Sequence, residues 1–438
     1  MIWIGIDDTD SISGGCTTYI AFILIKKLID NNYDIIGYPR LVRLNPNIPW
    51  KTRGNGAISI QVGKGKGAKK KIGGIEKKEI YCYQNISSES YKIKEIQKIV
   101  ENIVSYHARI DDKKTNPGFV IFTKKPNYNI YVKTATDIIK LESTKKILEK
   151  YNAYYRGYKN SRGLIGATAS VAWSSENDST YELIAYRKEE KWGSKRQVDD
   201  DSTKRMDKKF ASTFDNYDYI NKHNRLIPNS PCPVLFGIRG NKKNDLINAK
   251  SMIISEEIKC WLMFETNQGT DDHLKKTTIN KIQPYQSVII EGLVIKNPST
   301  IKGGHVFFTI KDSTGKIDCA AYEPTKNFRE TIRELRTGDK IEVYGGVRKN
   351  PLTINLEKIN IKNLEKQIEK IENPICQKCG KHMKSKGVNQ GYKCIKCGTI
   401  SNKPIFEEKI RYLKTGFYEV PVCARRHLSK PLKRIIQP

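Results

Sequence analysis

Three aspartates, Asp7, Asp8 and Asp10, fall within four positions of the stretch GIDDTDSISGGCTT. Like charges this close raise one another's energy, so near a folded core they need a cation or a task. They follow a mostly apolar run over residues 1–6 that reads as a strand. Gly14 and Gly15 then lead into Cys16, Thr17 and Thr18 at a helix start. A strand ending in carboxylates puts them at the C-terminal edge of a sheet, a usual ligand position in α/β layers. Helix N-terminal amides bind phosphate, and carboxylates hold Mg2+ together with waters and substrate phosphates. The pattern therefore suits a magnesium-bound polyphosphate. It is not a P-loop, because the GxxxxGK[ST] order is absent. The plainer alternative is a solvated acidic turn, with Thr17 or Thr18 capping the helix.

Cys376 and Cys379, then Cys394 and Cys397, form two CxxC pairs, with Gly380 and Gly398 directly after them. Each pair turns back so that two thiolates face one ion, and two pairs close a tetrahedron around Zn2+. A redox pair would not need two such turns. A closed four-thiolate site leaves no open position, so this zinc is structural. The other six cysteines are scattered, which fits a reducing cytosol rather than a secreted disulfide framework. No basic leader with a cleavage site and no apolar run of membrane length is visible, so the expectation is a cytoplasmic protein.

The net charge is +31, from 78 Lys+Arg against 47 Asp+Glu. Clustered basic residues point to a polyanion partner, although a Lys-, Ile- and Asn-rich composition also raises charge without purpose. The ribbon loop presents Lys381, His382, Lys384 and Lys386, and the C-terminal stretch carries Arg425, Arg426, His427 and Lys430. Between them these supply candidate nucleic-acid contacts.

The elements that must position these groups alternate. Strands are expected at 57–62, 119–122, 181–186 and 259–264, and helices at 19–29, 92–107 and 135–151. That alternation argues for α/β or α+β layers. The Gly/Lys-rich stretch 64–74 reads as a mobile loop and 187–218 as a long polar loop or lid. Residues 285–361 give three strands, a short helix and two strands, the order of an OB barrel, with another small β-barrel as the alternative. On the second strand Val306, Phe308 and Ile310 share one face, and His305, Phe307 and Thr309 the other. The first set suits the core. His305 and Phe307 are candidates for stacking on RNA bases.

Several loops have site-like composition: RLNPNIPWKTRGNGA, IDDKKTNPG, NSRGLIGATAS and FETNQGTDDHL. Together with GIDDTDS, GGCTTY, TYELIAYR, PCPVLFGIRG, GGHVFF, the CxxC pairs and FYEVPVCARRHLSKPL, in this order, they make the chain resemble the archaeal tRNA-isoleucine 2-agmatinylcytidine synthetase family, TiaS. The resemblance spans nearly the whole chain. It implies ATP-dependent activation of the carbon-2 carbonyl of the wobble cytidine in a CAU-anticodon isoleucine tRNA, displaced by the co-substrate agmatine. It also implies cleavage of ATP to AMP and two phosphates, and phosphorylation of a threonine in the CTT motif, Thr17 or Thr18. The implied architecture is α+β multidomain: a kinase-like domain over 1–115 with parts of 200–275, a ferredoxin-like domain over 116–200, a continuation of the catalytic region over 201–275, an OB-fold over 280–365, a zinc ribbon over 370–402 and a basic tail over 403–438. Asp7, Asp8, Asp10, Thr17 and Thr18 are the catalytic candidates. Gly14, Gly15, Lys51, Arg53, Gly54, Asn55 and Gly56 are the ATP-binding ones. Agmatine is cationic and needs a carboxylate, for which Asp112, Glu182 and Asp271 stand as candidates. The competing reading is an RNA-binding protein of OB and ribbon modules without this chemistry. A nucleotidyl transferase would need a KxDG-like lysine motif, which is not found.

Overall fold

The structure, a computed structural model, describes residues 1–87, 92–401 and 405–436. The Ile2–Asp7 strand lies inside a twelve-stranded sheet, antiparallel to Gly56–Gly63 on one side and to Gly118–Phe122 on the other. Gly56–Gly63 continues through Arg40–Arg43 to Ile258–Thr266, which pairs parallel to Arg40–Arg43, and on to Thr180–Arg187 and Val234–Gly240.

Alternation along the first strand decides which layer packs where. Ile2, Ile4 and Ile6 face a core made with Ile20, Leu24 and Leu28 of helix Thr17–Asp30 and with Ile96 and Val100 of helix Ile93–His107. Trp3 faces the opposite way, with Val120, Phe122 and Leu164. On that second face, helix Gly163–Ala172 lies almost on the strands. A Cβ on Gly5 would sit 2.2 Å from the Ala167 carbonyl oxygen, and one on Gly118 2.4 Å from the Leu164 nitrogen. Only glycine allows that approach, and it brings the start of the helix against the acidic loop.

Three expectations are corrected. Residues 64–74 are not a loop: Gly65–Ile75 is a strand paired with Lys78–Ile86 and, through Gly73 to Ile75, with Ile258–Thr266. Ile72 is buried, and Gly73 and Gly74, among the glycines that suggest a loop, let the strand pass Trp261, whose carbonyl oxygen would lie 2.7 Å from a Cβ on Gly73. The stretch 187–218 contains helix Asp200–Lys209, capped by the Asp199 carboxylate accepting from the Ser202 amide at 2.6 Å. It starts from Arg187, which is 1% exposed and bonds Glu256 at 2.7 and 2.8 Å. Removing one partner of such a buried pair costs about 3–5 kcal/mol, so this segment is anchored rather than lid-like. The helix expected over 135–151 is two, Asn129–Thr136 and Leu141–Lys150.

Ser287–Thr300, Val306–Lys311, Lys316–Ala321, Lys340–Arg348 and Thr353–Asn363 form a five-stranded barrel, closed by pairing of the first strand with the fourth. Helix Phe328–Arg333 follows the third strand. Val306, Phe308 and Ile310 fill its core. Gly416–Glu419 adds to this sheet against Thr353–Asn363. The ribbon carries three two-residue strands, Lys384–Ser385, Tyr392–Lys393 and Ile400–Ser401. Of the expected basic tail, residues 403–404 and 437–438 lie outside the described residues. Among the described residues no helix is long and apolar enough to cross a membrane.

Candidate active site

The acidic strand end opens into a cavity of about 490 Å³. Asp7, Asp8 and Asp10 line it with Thr17 and Thr18 at the helix start, and with Lys51, Arg53, Gly54, Asn55 and Gly56. Asp8 sits in the left-handed region at φ 54°, and its carboxylate pairs with Arg162 at 2.9 Å. Arg162 stands immediately before helix Gly163–Ala172, so the close glycine packing of that helix delivers the guanidinium. Asp10 accepts from the Thr52 hydroxyl at 3.1 Å and pairs with Arg53 at 3.3 Å. Arg53 also donates to the carbonyls of Gly14 at 2.8 Å and Gly15 at 3.1 Å, which ties its loop to the glycine turn.

Burial raises all three carboxylates above their ordinary range. Asp7 is pushed up to about 8, by burial and then by the neighbouring Asp8. For Asp8 and Asp10 the nearby Arg162 and Arg53 oppose the rise. A carboxyl held this high is short of positive partners, which is the condition a bound cation relieves. Thr9 donates to the Thr17 hydroxyl at 3.0 Å, and the Thr18 hydroxyl lies 3.0 Å from the Cys16 sulfur.

The same cavity has a basic part, lined by Arg43, Arg225, Arg239 and His427. The field of Arg43, then burial and Arg239, hold His427 well below its usual value, so it is neutral at pH 7. Burial and Arg426 push Lys51 down to about 8. The buried Nε groups of Arg43, Arg53 and Arg225 have no hydrogen-bond partner among the described residues. Orphaned guanidinium donors beside a surplus of positive field fit a polyanionic ligand. Sequence reasoning did not place Arg43, Arg225 and Arg239 in the site. Arg43 opens the site-like stretch RLNPNIPWKTRGNGA and Arg239 falls in PCPVLFGIRG, one of the stretches that carry the resemblance, but nothing local marks Arg225.

The three agmatine candidates are not brought together. Glu182 reaches the cavity wall but is 3% exposed and held by Arg43 at 3.4 Å and Arg239 at 3.2 Å. Asp271 binds Lys358 at 2.6 Å and the Lys430 amide at 2.7 Å, and neither it nor Asp112 lines the cavity.

The RNA candidates divide. His305 and Phe307 meet Tyr322 edge-on at 5.1 and 5.9 Å, a half-exposed aromatic group on the barrel. Lys381 and Lys384 are exposed on the ribbon. Arg425, Arg426 and Lys430 instead bridge segments: Arg425 to Asp215 and Glu419, Arg426 to Glu357 at 3.2 Å, and Lys430 to Asp178 at 2.9 Å. In the ribbon, the Sγ atoms of Cys376, Cys379, Cys394 and Cys397 lie within 4.8 Å of one another. Their closer separations, 3.3 to 3.8 Å, suit thiolates around one zinc, for which ~2.3 Å bonds in a tetrahedron put sulfurs roughly 3.8 Å apart. Gly380 and Gly398 take φ of 67° and 74°, as these turns require.

An acidic, arginine-rimmed cavity in an α+β body, joined to an OB barrel and a four-cysteine zinc ribbon, defines a multidomain protein equipped for both phosphate and nucleic acid. Family models match in the same order: TiaS TCKD domain over 3–160, TiaS FLD domain over 161–273, OB-fold nucleic acid binding domain over 288–367 and TiaS C-terminal zinc ribbon domain over 373–413. The chain is 44% identical to the tRNA(Ile2) 2-agmatinylcytidine synthetase TiaS of Methanocaldococcus jannaschii, over 99% of each chain. It is 42% identical to that of Archaeoglobus fulgidus, over 99% of this chain and 97% of the relative. It superposes on the crystal structure of a TiaS–tRNA(Ile2)–ATP complex with a TM-score of 0.86 at 40% identity, covering 99% of this chain and 97% of that one. A TiaS–tRNA(Ile2)–AMPCPP–agmatine complex gives 0.83 at 38% identity with the same coverage. The chain belongs to the tRNA(Ile2) 2-agmatinylcytidine synthetase (TiaS) family.

Proposed function

We infer that this protein attaches agmatine to the wobble cytidine of tRNA(Ile2), consuming ATP. The observation that carries the reading is full-length likeness to relatives so named and to complexes with tRNA(Ile2), ATP or its analogue, and agmatine, on a chain with its own polyanion cavity and RNA-binding modules.

A carbonyl oxygen is a poor leaving group until it carries phosphate. In our reading the carbon-2 oxygen of cytosine takes a phosphoryl group, agmatine's amine adds at carbon 2, and the phosphorylated oxygen departs. The chain's work is positioning and charge neutralisation. Arg43, Arg53, Arg225 and Arg239 would hold phosphates, and the helix start at Thr17 would present amides to them; of the expected ATP-binding residues, Gly14 and Gly15 line a neighbouring cavity with Arg109 rather than this one. Thr17 and Thr18, at that helix start, are the candidate phosphoryl acceptors. The donor set of Asp7, Asp8 and Asp10 fits Mg2+, which when bound would neutralise phosphate charge. From Thr180 to Thr266 the longer elements run strand, helix, strand, helix, strand, with three two-residue strands after the first helix; this order supports a ferredoxin-like layer there rather than over the expected 116–200, beside a kinase-like layer around Ile2–Asp7.

Asp8→Asn tests the site. The side chain keeps its shape but loses its charge, and ATP consumption dependent on tRNA and agmatine should be abolished in a protein that still melts cooperatively. Wild-type turnover in that variant would remove the acidic loop from the mechanism.

A further inference from the structure

Residues 44–55 form a loop pinned at its base, where the Leu44 amide donates to the Asn55 carbonyl at 2.9 Å and the Asn55 side chain to the Asn45 carbonyl at 2.8 Å. One flank carries Thr52 and Arg53, which hold Asp10 and the glycine turn. The other flank is fastened to the barrel. Asn45 donates to the Tyr285 carbonyl at 3.0 Å, and Asn47 to the Gln286 carbonyl at 3.0 Å and the Ser287 hydroxyl at 2.8 Å. Asn47 also accepts from Arg426, which pairs with Glu357 on the barrel strand Thr353–Asn363. The approach is tight, since a Cβ on Gly346 would lie 2.2 Å from the Asn47 side-chain oxygen. Gln286 in turn donates at 2.6 Å to Asp137, a residue of the cavity wall. A single short loop thus touches the first and fourth barrel strands at one end and the acidic turn at the other.

We propose that this loop couples RNA seating on the barrel to phosphate binding in the cavity, with Asn47 as the positioning residue at the junction. The inference rests on the functional reading above. RNA that shifts the start of strand Ser287–Thr300 must drag Asn47, because its amide has two acceptors there and its oxygen a guanidinium. Thr52 and Arg53 then move relative to Asp10. Coupling between two ligands is reciprocal: each must change the other's affinity by the same factor.

The full-length protein is titrated with a non-hydrolysable ATP analogue in the absence and presence of tRNA(Ile2), and with tRNA in the absence and presence of the analogue. In the wild type each ligand should tighten the other by about fivefold or more, the low end of typical coupling. Asn47→Ala should bring both factors below about twofold, with each ligand's separate Kd changed by less than about twofold. Asn47→Asp keeps the acceptor for Arg426 and loses the donor bond to the Gln286 carbonyl, while the Ser287 hydroxyl can turn to donate to the carboxylate, so it should lower the factors partway. Ser287→Ala removes one acceptor at little risk to folding and should lower the factors partway. A wild-type factor of one, or variants that keep full coupling, overturns the proposal. Failure of tRNA or the analogue to bind the wild type at all overturns the functional reading, and the coupling with it.

Discussion

Gly166 stands on helix Gly163–Ala172 directly against the acidic strand end. A Cβ there would lie 1.9 Å from an Asp7 carboxylate oxygen, 2.7 Å from its Cγ and 2.9 Å from a Leu44 methyl. Gly166→Ala therefore forces a displacement of about 1 Å, since an unstrained carbon–oxygen contact is a little over 3 Å. Asp7 can yield toward the cavity; the helix cannot, because Gly5, Gly118 and Gly163 already hold it at the limit of backbone approach. The stability terms oppose one another. Alanine favours the helix over glycine by about 1 kcal/mol, and overpacking costs typically about 1–3 kcal/mol. The net loss is about 0–2 kcal/mol, a fall of a few degrees in melting temperature, and the protein should stay folded. Misplacing a catalytic group by about 1 Å can cost on the order of 100-fold in rate. The assay is ATP consumption with tRNA and agmatine, read beside a thermal melt. A loss of roughly 10- to 100-fold with the melt nearly intact is the expected pair of results. Turnover within threefold of wild type would show that the Asp7 carboxylate need not sit where the structure puts it.

Three further outcomes are expected. Thr17→Ala and Thr18→Ala should differ sharply in protein-bound label from γ-labelled ATP, and full labelling in both would leave neither hydroxyl as the acceptor. The raised Asp7 means that the ligand-free fold holds a proton the unfolded chain has released, so its contribution to stability falls as pH rises toward about 8, by up to ~1.4 kcal/mol per unit. The ligand-free protein should melt lower at pH 8 than at pH 6.5, and magnesium with ATP should raise the melting temperature more at pH 8; equal shifts at both would refute this. Replacing Lys381, Lys384, Lys386 and Lys393 by alanine should weaken tRNA binding and flatten its salt dependence by roughly 0.9 per lost phosphate contact. An unchanged slope would make the ribbon surface a bystander, with ATP affinity as the internal control.

What the sequence made legible was local. The aspartate cluster, the CxxC pairs and the strand order of the barrel each depend on spacings of a few residues, and their geometry follows from strand alternation and turn chemistry. What it hid was long-range. Arg425, Arg426 and Lys430 read as phosphate-seeking charge, but charge counting does not see Asp215, Glu357 and Asp178, the counter-charges that folding places against them. The glycines of 65–75 read as a mobile loop for a similar reason: Gly73 and Gly74 answer to the nearness of Trp261, a residue almost two hundred positions away, and Gly65 to that of Tyr83. The glycines of NSRGLIGATAS gave that stretch a site-like composition, and their contacts are with backbone, with Asp7 and with Leu44. They serve the site by letting the helix come close enough for Arg162 to reach Asp8. The same distinction sorts the positive charge. Lysines on the ribbon face solvent, and the Nε groups of Arg43, Arg53 and Arg225 at the cavity lack partners among the described residues. Between them the tail arginines are already neutralised, which makes that stretch the clamp between barrel and body. In the function we propose, RNA binding falls to the barrel and ribbon and ATP to the cavity, and the loop over residues 44–55 is bonded to both the barrel and the acidic turn.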